Sequence, residues 1–483
     1  MRYILRILLV FGIIYFSSME SRAQFEGAVW DTLTSDTLQD ALSRLPFAAT
    51  PSGLHLAYAK SRGMDDGWSV HYRFFSIIGG WDDDVIVEAE LPAYSPSIAA
   101  KEFGAFKITI FFDANDDVYG GVVSSPWDTW EIVNYTTSAE LDREPTVAVD
   151  DNGDVHVAWI TYNSGEYKIT YGKIVSDTLA KEILQESDLG QFGWGAVPKI
   201  VVVNNLPHIF YRGVNEVYYH IHHAYKQSPE SPWEIEYLYS GNVDDYTGSA
   251  TVDDSNDIHL AMSGNDGWGF PGKIYYSRRN YQTGEWTPAQ LATGSFSTTE
   301  GSVGVTDAGH VYIASSGISG NFYTGDIYLS NNSEGSFHTE LLTHYEDGTG
   351  PSIVILPGSF GALVMQGIIG EHNSNSFEII YYGPASTHVA NDGFIPHSAL
   401  ISSNYPNPFN ALTTIKYSLP KTSDVTIDIY DILGRKVETV IDQQHTAGCY
   451  QTIWNAAGLT SGIYFYKLQA GDYIETKKMV LLK

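Results

Sequence analysis

The stretch PTVAVDDNGDVHVAWITYNSGEYKITYGKI, residues 145–174, alternates apolar and polar side chains in three short runs that turn-forming residues separate. This pattern predicts three antiparallel strands joined by tight turns. The first run recurs about every 50 residues. Its other copies are PSIAA (96–100), PKIVV (198–202), GSATV (248–252), GSVGV (301–305) and PSIVI (351–355). An internal repeat of this length indicates one structural unit per repeat.

Each repeat continues in the same way: a second run such as DIHLAM (257–262), a Tyr-rich third run, and a fourth that often opens on an aromatic, such as WEIVNYT (130–136). Four short strands per repeat predict an all-β fold in which each repeat is one blade of a β-propeller. The repeats from Pro46 to Gly383 predict seven blades, the seventh without a fourth strand. FEGAVWDTLT (25–34) has the pattern of that missing strand, so we predict that it closes the ring.

Composition limits the partners of this 483-residue chain. Lys and Arg number 27 against 57 Asp and Glu, a net charge of −30, which repels nucleic acid and anionic lipid. Cys449 is the only cysteine, so neither an intrachain disulfide nor a cysteine zinc site is expected. Stability must therefore come from side-chain packing.

The N-terminus has the features of a secretory signal peptide, residues 1–23. Arg2 and Arg6 precede an apolar run from Ile7 to Phe16, and Ser21 and Ala23 occupy the small-residue positions of a cleavage site. No later stretch has the roughly 18 apolar residues of a spanning helix. We therefore expect export and no transmembrane segment in the mature chain.

The C-terminus differs in kind from the repeats. Residues 384–403 have no periodic pattern and are predicted to be a linker, after which about six or seven short alternating runs predict a small β-sandwich of the Ig-like type. Residues 404–483 resemble the type A sorting domain of the type IX (Por) secretion system through NYPNPFN, TTIKYSLP, VTIDIYDILGRKV, GLTSGIYFYKL and the terminal KKMVLLK. The sorting motif comprises Asn404, Tyr405, Pro406, Asn407, Pro408, Phe409 and Asn410. The resemblance implies recognition by the translocon, removal of the domain, and release or surface attachment of the cargo.

Several conspicuous residues are interpreted as structural. His55, His156, His208 and His259 occupy one repeated position, and Trp130, Trp233 and Trp286 occupy another, which favours a role in every blade over a metal or ligand site. The segments VDDNGDVH and VDDSNDIH carry oxygen donors at alternate positions, as a calcium loop does, but no Glu stands at position twelve. An Asx-stabilised turn is favoured over calcium, which stays open.

Loops at one mouth of the propeller carry acidic and aromatic residues that are not repeated. They join each fourth strand to the next first strand and each second strand to the third. The candidates are Trp68, Asp142, Glu144, Trp194, Asp244, Asp245, Trp268, Glu300 and Asp347. Carboxylates beside exposed indoles are typical of carbohydrate recognition, since the ring stacks on a sugar while the oxygens accept hydroxyl hydrogens.

The fourth repeat has a second set of candidates: Tyr211, Arg212, Tyr219, His220, His222 and His223. Arg212, Tyr219, His220 and His222 are the candidate catalytic residues of a polysaccharide lyase, in which Arg neutralises a uronate and Tyr or His removes its proton. In a strand, His222 and His223 point to opposite faces, so only part of this set can reach one ligand. Three functions stay open: a glycan-binding propeller, a lyase or glycoside hydrolase, and a structural or adhesive surface protein.

Overall fold

The computed structural model of the chain describes residues 28–32, 46–61, 68–76, 80–82, 85–88, 90–102, 106–137, 140–175, 178–184, 197–215, 218–238, 244–265, 272–293, 298–317, 327–332, 335–341, 349–356, 360–367, 378–384, 400–401, 409–419, 422–446, 448–471 and 473–482. These residues are all-β. No helix among them has the length and apolarity needed to cross a membrane.

Seven antiparallel sheets precede the C-terminal domain. Sheet one contains β2 (Phe47–Thr50), β3 (Gly53–Ser61), β4 (Trp68–Ser76), β5 (Gly80–Trp81) and β6 (Val85–Glu88). Sheet two contains β7 (Ala93–Glu102), β8 (Phe106–Ala114), β9 (Asp117–Val123) and β10 (Val133–Asn134). Sheet three contains β11 (Leu141–Val149), β12 (Val155–Asn163), β13 (Glu166–Val175) and β14 (Thr178–Leu184). Sheet four contains β15 (Lys199–Val203), β16 (Leu206–Asn215), β17 (Tyr218–Tyr225) and β18 (Glu234–Leu238).

The remaining sheets continue this order. Sheet five contains β19 (Asp244–Val252), β20 (Ile258–Asn265), β21 (Lys273–Arg279) and β22 (Gln290–Leu291). Sheet six contains β23 (Thr298–Val305), β24 (Val311–Gly317), β25 (Ile327–Asn331) and β26 (His338–Leu341). Sheet seven contains β27 (Thr349–Leu356), β28 (Phe360–Gly367), β29 (Glu378–Pro384) and the N-terminal β1 (Ala28–Thr32). The fourth strands of sheets two and five are shorter than predicted. The sequence predicts them to start at Trp130 and Trp286, whereas β10 and β22 begin after these residues.

The N-terminal strand pairs with the last repeat. β1 lies antiparallel to β29, with Trp30 opposite Tyr382, so the pairing predicted from FEGAVWDTLT is present. First strands of neighbouring sheets contact each other in the order β2, β7, β11, β15, β19, β23 and β27, and β27 also contacts β2. We call the end at which these strands begin the front mouth, and the end at which they finish the rear mouth.

Apolar residues fill the spaces between neighbouring sheets. Phe111 of sheet two packs with Val147 and Trp159 of sheet three, and Phe210 of sheet four packs with Met262 of sheet five. Alternation along each strand sends successive side chains to the two flanking sheets, so both faces of a sheet are buried. This explains why the repeats are strongly apolar although the chain is highly charged.

A repeated hydroxyl covers the free edge of the first strands. The Ser97 hydroxyl oxygen accepts a hydrogen bond from the Val147 amide of the next sheet at 3.2 Å. Ser249 accepts in the same way from Val303 at 2.7 Å, and Ser302 from Ile353 at 3.0 Å. The Ser of the recurring Pro-Ser or Gly-Ser pair therefore protects an edge strand that would otherwise expose unpaired amides.

The C-terminal domain has seven strands in two sheets. They are β30 (Leu400–Ile401), β31 (Leu412–Leu419), β32 (Ser423–Asp431), β33 (Lys436–His445), β34 (Gly448–Asn455), β35 (Gly462–Ala470) and β36 (Tyr473–Leu481). β30 lies inside the segment predicted as linker. Phe409 is buried against Trp454, with ring centroids 5.6 Å apart, and its amide donates to the Val480 carbonyl at 2.9 Å. Asn410 is exposed, and Asn404 to Pro408 lie outside the described residues.

Candidate functional site

Two acidic residues from neighbouring sheets are in contact at the front mouth. Asp113 lies near the end of β8, and Glu144 lies in a bulge of β11 between Arg143 and Thr146. The Glu144 amide donates to Asp113 Oδ1 at 3.3 Å. β7 has the same bulge, and its Ser95 side chain also hydrogen-bonds to Asp113. The bulges therefore bring Ser95 and Glu144 against one buried carboxyl.

The backbone at this site adopts a rare conformation. Ser95 has a φ of 46° and Glu144 a φ of 54°, in the left-handed region that non-glycine residues seldom occupy. Such positions persist only where the surrounding structure enforces them, and they cluster at functional sites.

The Asp113 carboxyl is unusually hard to ionise. It is 9% exposed. Burial, together with the negative charge of Glu144, raises the pKa of Asp113 to about 7, although hydrogen bonds from Glu144 and Ser95 and the charge of Arg143 oppose the rise. Near neutral pH this side chain therefore exists both as a proton donor and as an acceptor.

A cation lies beside this pair. Arg143 Nε donates to Asp116 Oδ1 at 3.2 Å, and both side chains are about half exposed. The front mouth at sheets two and three thus offers a protonatable carboxyl on β8 and, on two successive residues of β11, a guanidinium and a second carboxyl.

Asp142 does not face solvent at the rim. It is 1% exposed and accepts hydrogen bonds at Oδ1 from Trp159 Nε1 at 2.8 Å and Thr161 Oγ1 at 2.6 Å. The bulge that follows it brings the backbone amide of Glu144, rather than Asp142, to the Asp113 carboxyl. The Asp142 carboxyl is therefore buried and hydrogen-bonded to two side chains of β12.

The other front-mouth candidates are only partly described. Trp68 is half-buried at the start of β4. Asp244 and Asp245 begin β19, and Glu300 lies in the bulge of β23, but their side chains lie outside the described residues. Trp194, Trp268 and Asp347 lie outside the described residues altogether.

The candidates of sheet four point to both faces of that sheet. Tyr211 stands opposite His222, and their rings are 5.1 Å apart. Arg212 stands opposite Ile221 and therefore points the other way, toward sheet five, as Phe210 and His223 do. A Cβ on Gly213 would lie 2.5 Å from the His222 ring, so only glycine leaves room for this imidazole. His220 is half-buried, and the Tyr219 side chain lies outside the described residues.

Arg212 and Asp113 occupy equivalent positions in the second strands of sheets four and two. Ser97, Thr146 and Lys199, which follow the recurring Pro, stand opposite Phe111, Ala158 and Phe210. Two residues further along the second strands come Asp113, Ile160 and Arg212. Asp113 is not among the residues predicted from the sequence. It could have been found as an ionisable residue at a repeat position that is apolar, Ile160, in sheet three.

The repeated histidines belong to buried hydrogen-bond networks. His156 Nε2 contacts Asp150 Oδ2 at 3.1 Å while its Nδ1 contacts the Tyr171 hydroxyl at 2.8 Å. His259 repeats this with Asp253 and Tyr276, and His55 with Thr50 and Tyr72. In sheet four His208 contacts His223, which contacts Glu236. Each of these histidines therefore has hydrogen-bond partners within its own repeat.

Aromatics from the next sheet cover these networks. Trp130 packs edge-on against Tyr72, and Trp233 against Tyr171, with centroids 5.6 and 5.2 Å apart. Burial lowers the pKa of His55 to about 3, so it stays neutral at physiological pH. Burial likewise lowers the pKa of His259 and His208.

The segments that resemble calcium loops form Asx turns. Asp150 Oδ1 accepts from the amides of Asn152 at 2.9 Å and Asp154 at 2.8 Å. Asp253 Oδ1 accepts from the Ser255 and Asp257 amides, both at 2.9 Å. Among the described residues, no group of three or more His, Cys, Asp or Glu side chains is arranged to hold a metal ion.

A cavity of about 340 Å³ lies at the other end of the first strands. It is lined by the rear-mouth ends of β19, β23 and β27 and by β2. Neither Asp113 nor Glu144 lines it. This cavity and the perturbed carboxyl therefore lie at opposite ends of the first strands.

Comparisons with known proteins identify the C-terminal domain. Residues 403–482 match the family described as Secretion system C-terminal sorting domain, which confirms the sorting domain and export by type IX secretion to the cell surface or extracellular space. No curated protein matches the chain.

Among solved structures, a fungal alcohol oxidase in complex with copper is 10% identical, with 95% of this chain and 100% of that chain covered and a TM-score of 0.48. A polysaccharide lyase is 11% identical over 71% of this chain and 90% of its own, with a TM-score of 0.47. An α-L-arabinanase of Penicillium chrysogenum, complexed with arabinobiose, is 11% identical over 58% and 89%, with a TM-score of 0.35. These likenesses say nothing about what this chain binds.

Proposed function

We propose that residues 28–384 form a closed seven-bladed β-propeller, exported by the C-terminal sorting domain, that binds an extracellular glycan at its front mouth. The cyclic order of contacts among the first strands and the pairing of β1 with β29 support the closed ring. Closure leaves each blade with a neighbour on both faces, and the free edges line the channel and the perimeter.

The observation that supports the binding function is the hydrogen bond from the Glu144 backbone amide to the Asp113 carboxyl, which puts two acidic residues at the same mouth. A protonated carboxyl donates a hydrogen bond, and a neighbouring carboxylate accepts one, so together they match the donor and acceptor needs of adjacent sugar hydroxyls. Arg143 adds a fixed donor at the rim. The half-buried Trp68 of sheet one supplies an aromatic surface at the same mouth.

A glycoside hydrolase is the second candidate, and the pKa of Asp113 favours it. A pKa of about 7 suits a general acid at neutral pH, and Glu144 would be its unprotonated partner. The lyase alternative has less support, because Arg212 and His222 point to opposite faces of sheet four.

Binding of the mature chain to an array of neutral and acidic polysaccharides, followed by calorimetry on the hits, tests the proposal. We expect Glu144→Gln to weaken binding by at least about tenfold, because hydrogen bonds to charged groups contribute about 1.5–3 kcal/mol each. Glu166→Gln is the matched control, since Glu166 is an exposed carboxylate in the β12–β13 turn at the same end of the sheet.

Two results would reject the binding function: no glycan bound by the wild type, or equal losses in the Glu144 and Glu166 variants. Release of reducing ends from a bound glycan, abolished by both Glu144→Gln and Asp113→Asn, would favour the hydrolase instead.

A further inference from the structure

The C-terminal sorting domain carries a pair of exposed apolar side chains at a tight turn. Ile432 and Leu433 connect β32 to β33 and are 66% and 73% exposed. Among the described residues, no large apolar side chain is more exposed than Leu433. Single exposed apolar residues are ordinary on a protein surface, but two adjacent ones at the tip of a hairpin form a protruding apolar surface.

The turn that carries this pair is held by Asp431. Its Oδ1 accepts hydrogen bonds from the amides of Leu433 at 2.9 Å and Arg435 at 3.0 Å, and its Oδ2 accepts from Arg435 Nε at 2.7 Å. The Asp431 carbonyl accepts from the Gly434 amide at 2.9 Å, and Gly434 has a φ of 77°. A turn fixed in this way loses little conformational entropy when a partner covers it, so Ile432 and Leu433 are pre-organised for binding.

Two further exposed apolar residues lie at the same end of the sheet. The strands of this sheet follow one another in the order β33, β32, β35 and β36. Asp431, which precedes the turn, pairs with Tyr464 of β35, and the exposed Ile463 comes one residue before Tyr464. Leu482 directly follows β36 and is also exposed. We call this surface the apolar end; it comprises Ile432, Leu433, Ile463 and Leu482.

The sorting motif reaches the same end. Phe409 pairs in parallel with Leu481 at the end of β36, and its carbonyl accepts a hydrogen bond from the Leu482 amide at 2.9 Å. The apolar end therefore brings together the beginning, the middle and the end of the domain's sequence. Such a surface exists only in the folded domain, so it suits recognition of a fold and not of a linear segment.

We infer that the apolar end is the surface by which the sorting domain docks on the type IX secretion machinery, and that its partner there is an apolar pocket that receives Ile432 and Leu433. The family match gives this machinery as the partner of the domain, but it does not say which surface is used. Docking would cover the four apolar side chains and leave the opposite end of the sheet in water.

Export of the full precursor from a cell with a type IX system tests this surface. Quantitative immunoblots of medium, cell surface and periplasm give the exported fraction. We expect Ile432→Ser/Leu433→Ser to lower this fraction at least about fivefold, because a few anchor side chains dominate most interfaces. Ile432→Val/Leu433→Met keeps the turn apolar and should be exported as the wild type is.

Ile453→Ser/Ile474→Ser is the matched control. Ile453 of β34 is 67% exposed, and Ile474, at the opposite end of β36 from Leu482, is 54% exposed. This variant also replaces two exposed isoleucines or leucines, but outside the apolar end, so it should be exported normally. An equal loss of export in the control, or wild-type export of Ile432→Ser/Leu433→Ser, would overturn the inference.

Two measurements separate docking from folding. The thermal midpoint of the purified mature chain should be the same in the wild type and in Ile432→Ser/Leu433→Ser, since both side chains are exposed; if the midpoint falls, Leu433→Ser alone replaces the double variant. In exporting cells, Leu433→p-benzoylphenylalanine should photocrosslink to a component of the secretion machinery, identified by mass spectrometry. A crosslink only to the propeller of the same chain, or only to a second copy, would overturn the inference.

Discussion

Replacing Asp113 with Asn should stabilise the propeller at pH 8 and leave its stability nearly unchanged at pH 4. The pKa of this carboxyl is about 7 in the folded protein against 3.8 for an unperturbed Asp. Below pH 3.8 both the folded and unfolded states hold the proton. Between pH 3.8 and 7 the unfolded chain releases it while the folded protein keeps it, so wild-type stability falls across this window.

The size of the effect follows from the shift. The difference between a pKa of about 7 and one of 3.8 corresponds to about 4 kcal/mol at about 1.4 kcal/mol per pH unit, which is an upper limit. Asn has the shape of a protonated Asp and retains an oxygen that can accept from the Glu144 amide at 3.3 Å. The variant avoids the cost of ionising a buried group, so at pH 8 its midpoint should rise by several degrees, roughly 5 °C for a unit of this length.

Scanning calorimetry of wild type and variant at pH 4, 6 and 8 measures this directly, and the buried histidines shared by both proteins cancel in the comparison. Asp142→Asn is the matched control. It removes a buried carboxylate that accepts from Trp159 and Thr161, so it should destabilise by about 1–2 kcal/mol instead of stabilising. If Asp113→Asn stabilises equally at pH 4 and pH 8, or destabilises at pH 8, the account of this carboxyl is refuted.

The other predictions concern the scaffold. His156→Ala leaves a buried carboxylate and a buried phenol without their partner and should cost about 3 kcal/mol, read as a lowered midpoint. Gly213→Ala should cost about 1–3 kcal/mol because its Cβ meets the His222 ring at 2.5 Å, and His222→Ala in the same chain should recover most of that loss. Truncation after Ala390 should leave the propeller folded by circular dichroism, whereas deleting residues 28–32 should lower its midpoint, because it exposes β29 as an edge; equal effects of the two deletions would contradict the predicted separation of domains.

The strand pattern predicted the scaffold well because it depends on local alternation. The four-stranded repeats, the pairing of β1 with β29 and the Asx turn at Asp150 all follow from residues close together in sequence or from a repeated spacing. The fourth strands were harder to predict. Trp130, at which the sequence predicts a fourth strand to start, packs instead on Tyr72 of the preceding sheet, and β10 begins only at Val133.

The candidate site was less predictable because it depends on bulges. The extra residues in β11 place Asp142 inside and Glu144 against Asp113, a switch of facing that alternation alone does not reveal. Asp113 gains its raised pKa from burial and from Glu144, which is 31 positions away in sequence. A pattern search that treats each segment separately misses such a pair.

Calorimetric titration of the mature chain with its best array glycan, in wild type and in Glu144→Gln, tests the central claim most directly. The front-mouth account predicts saturable binding by the wild type and at least about a tenfold weaker affinity in the variant, with Glu166→Gln unchanged. Wild-type affinity in a folded Glu144→Gln protein would contradict it.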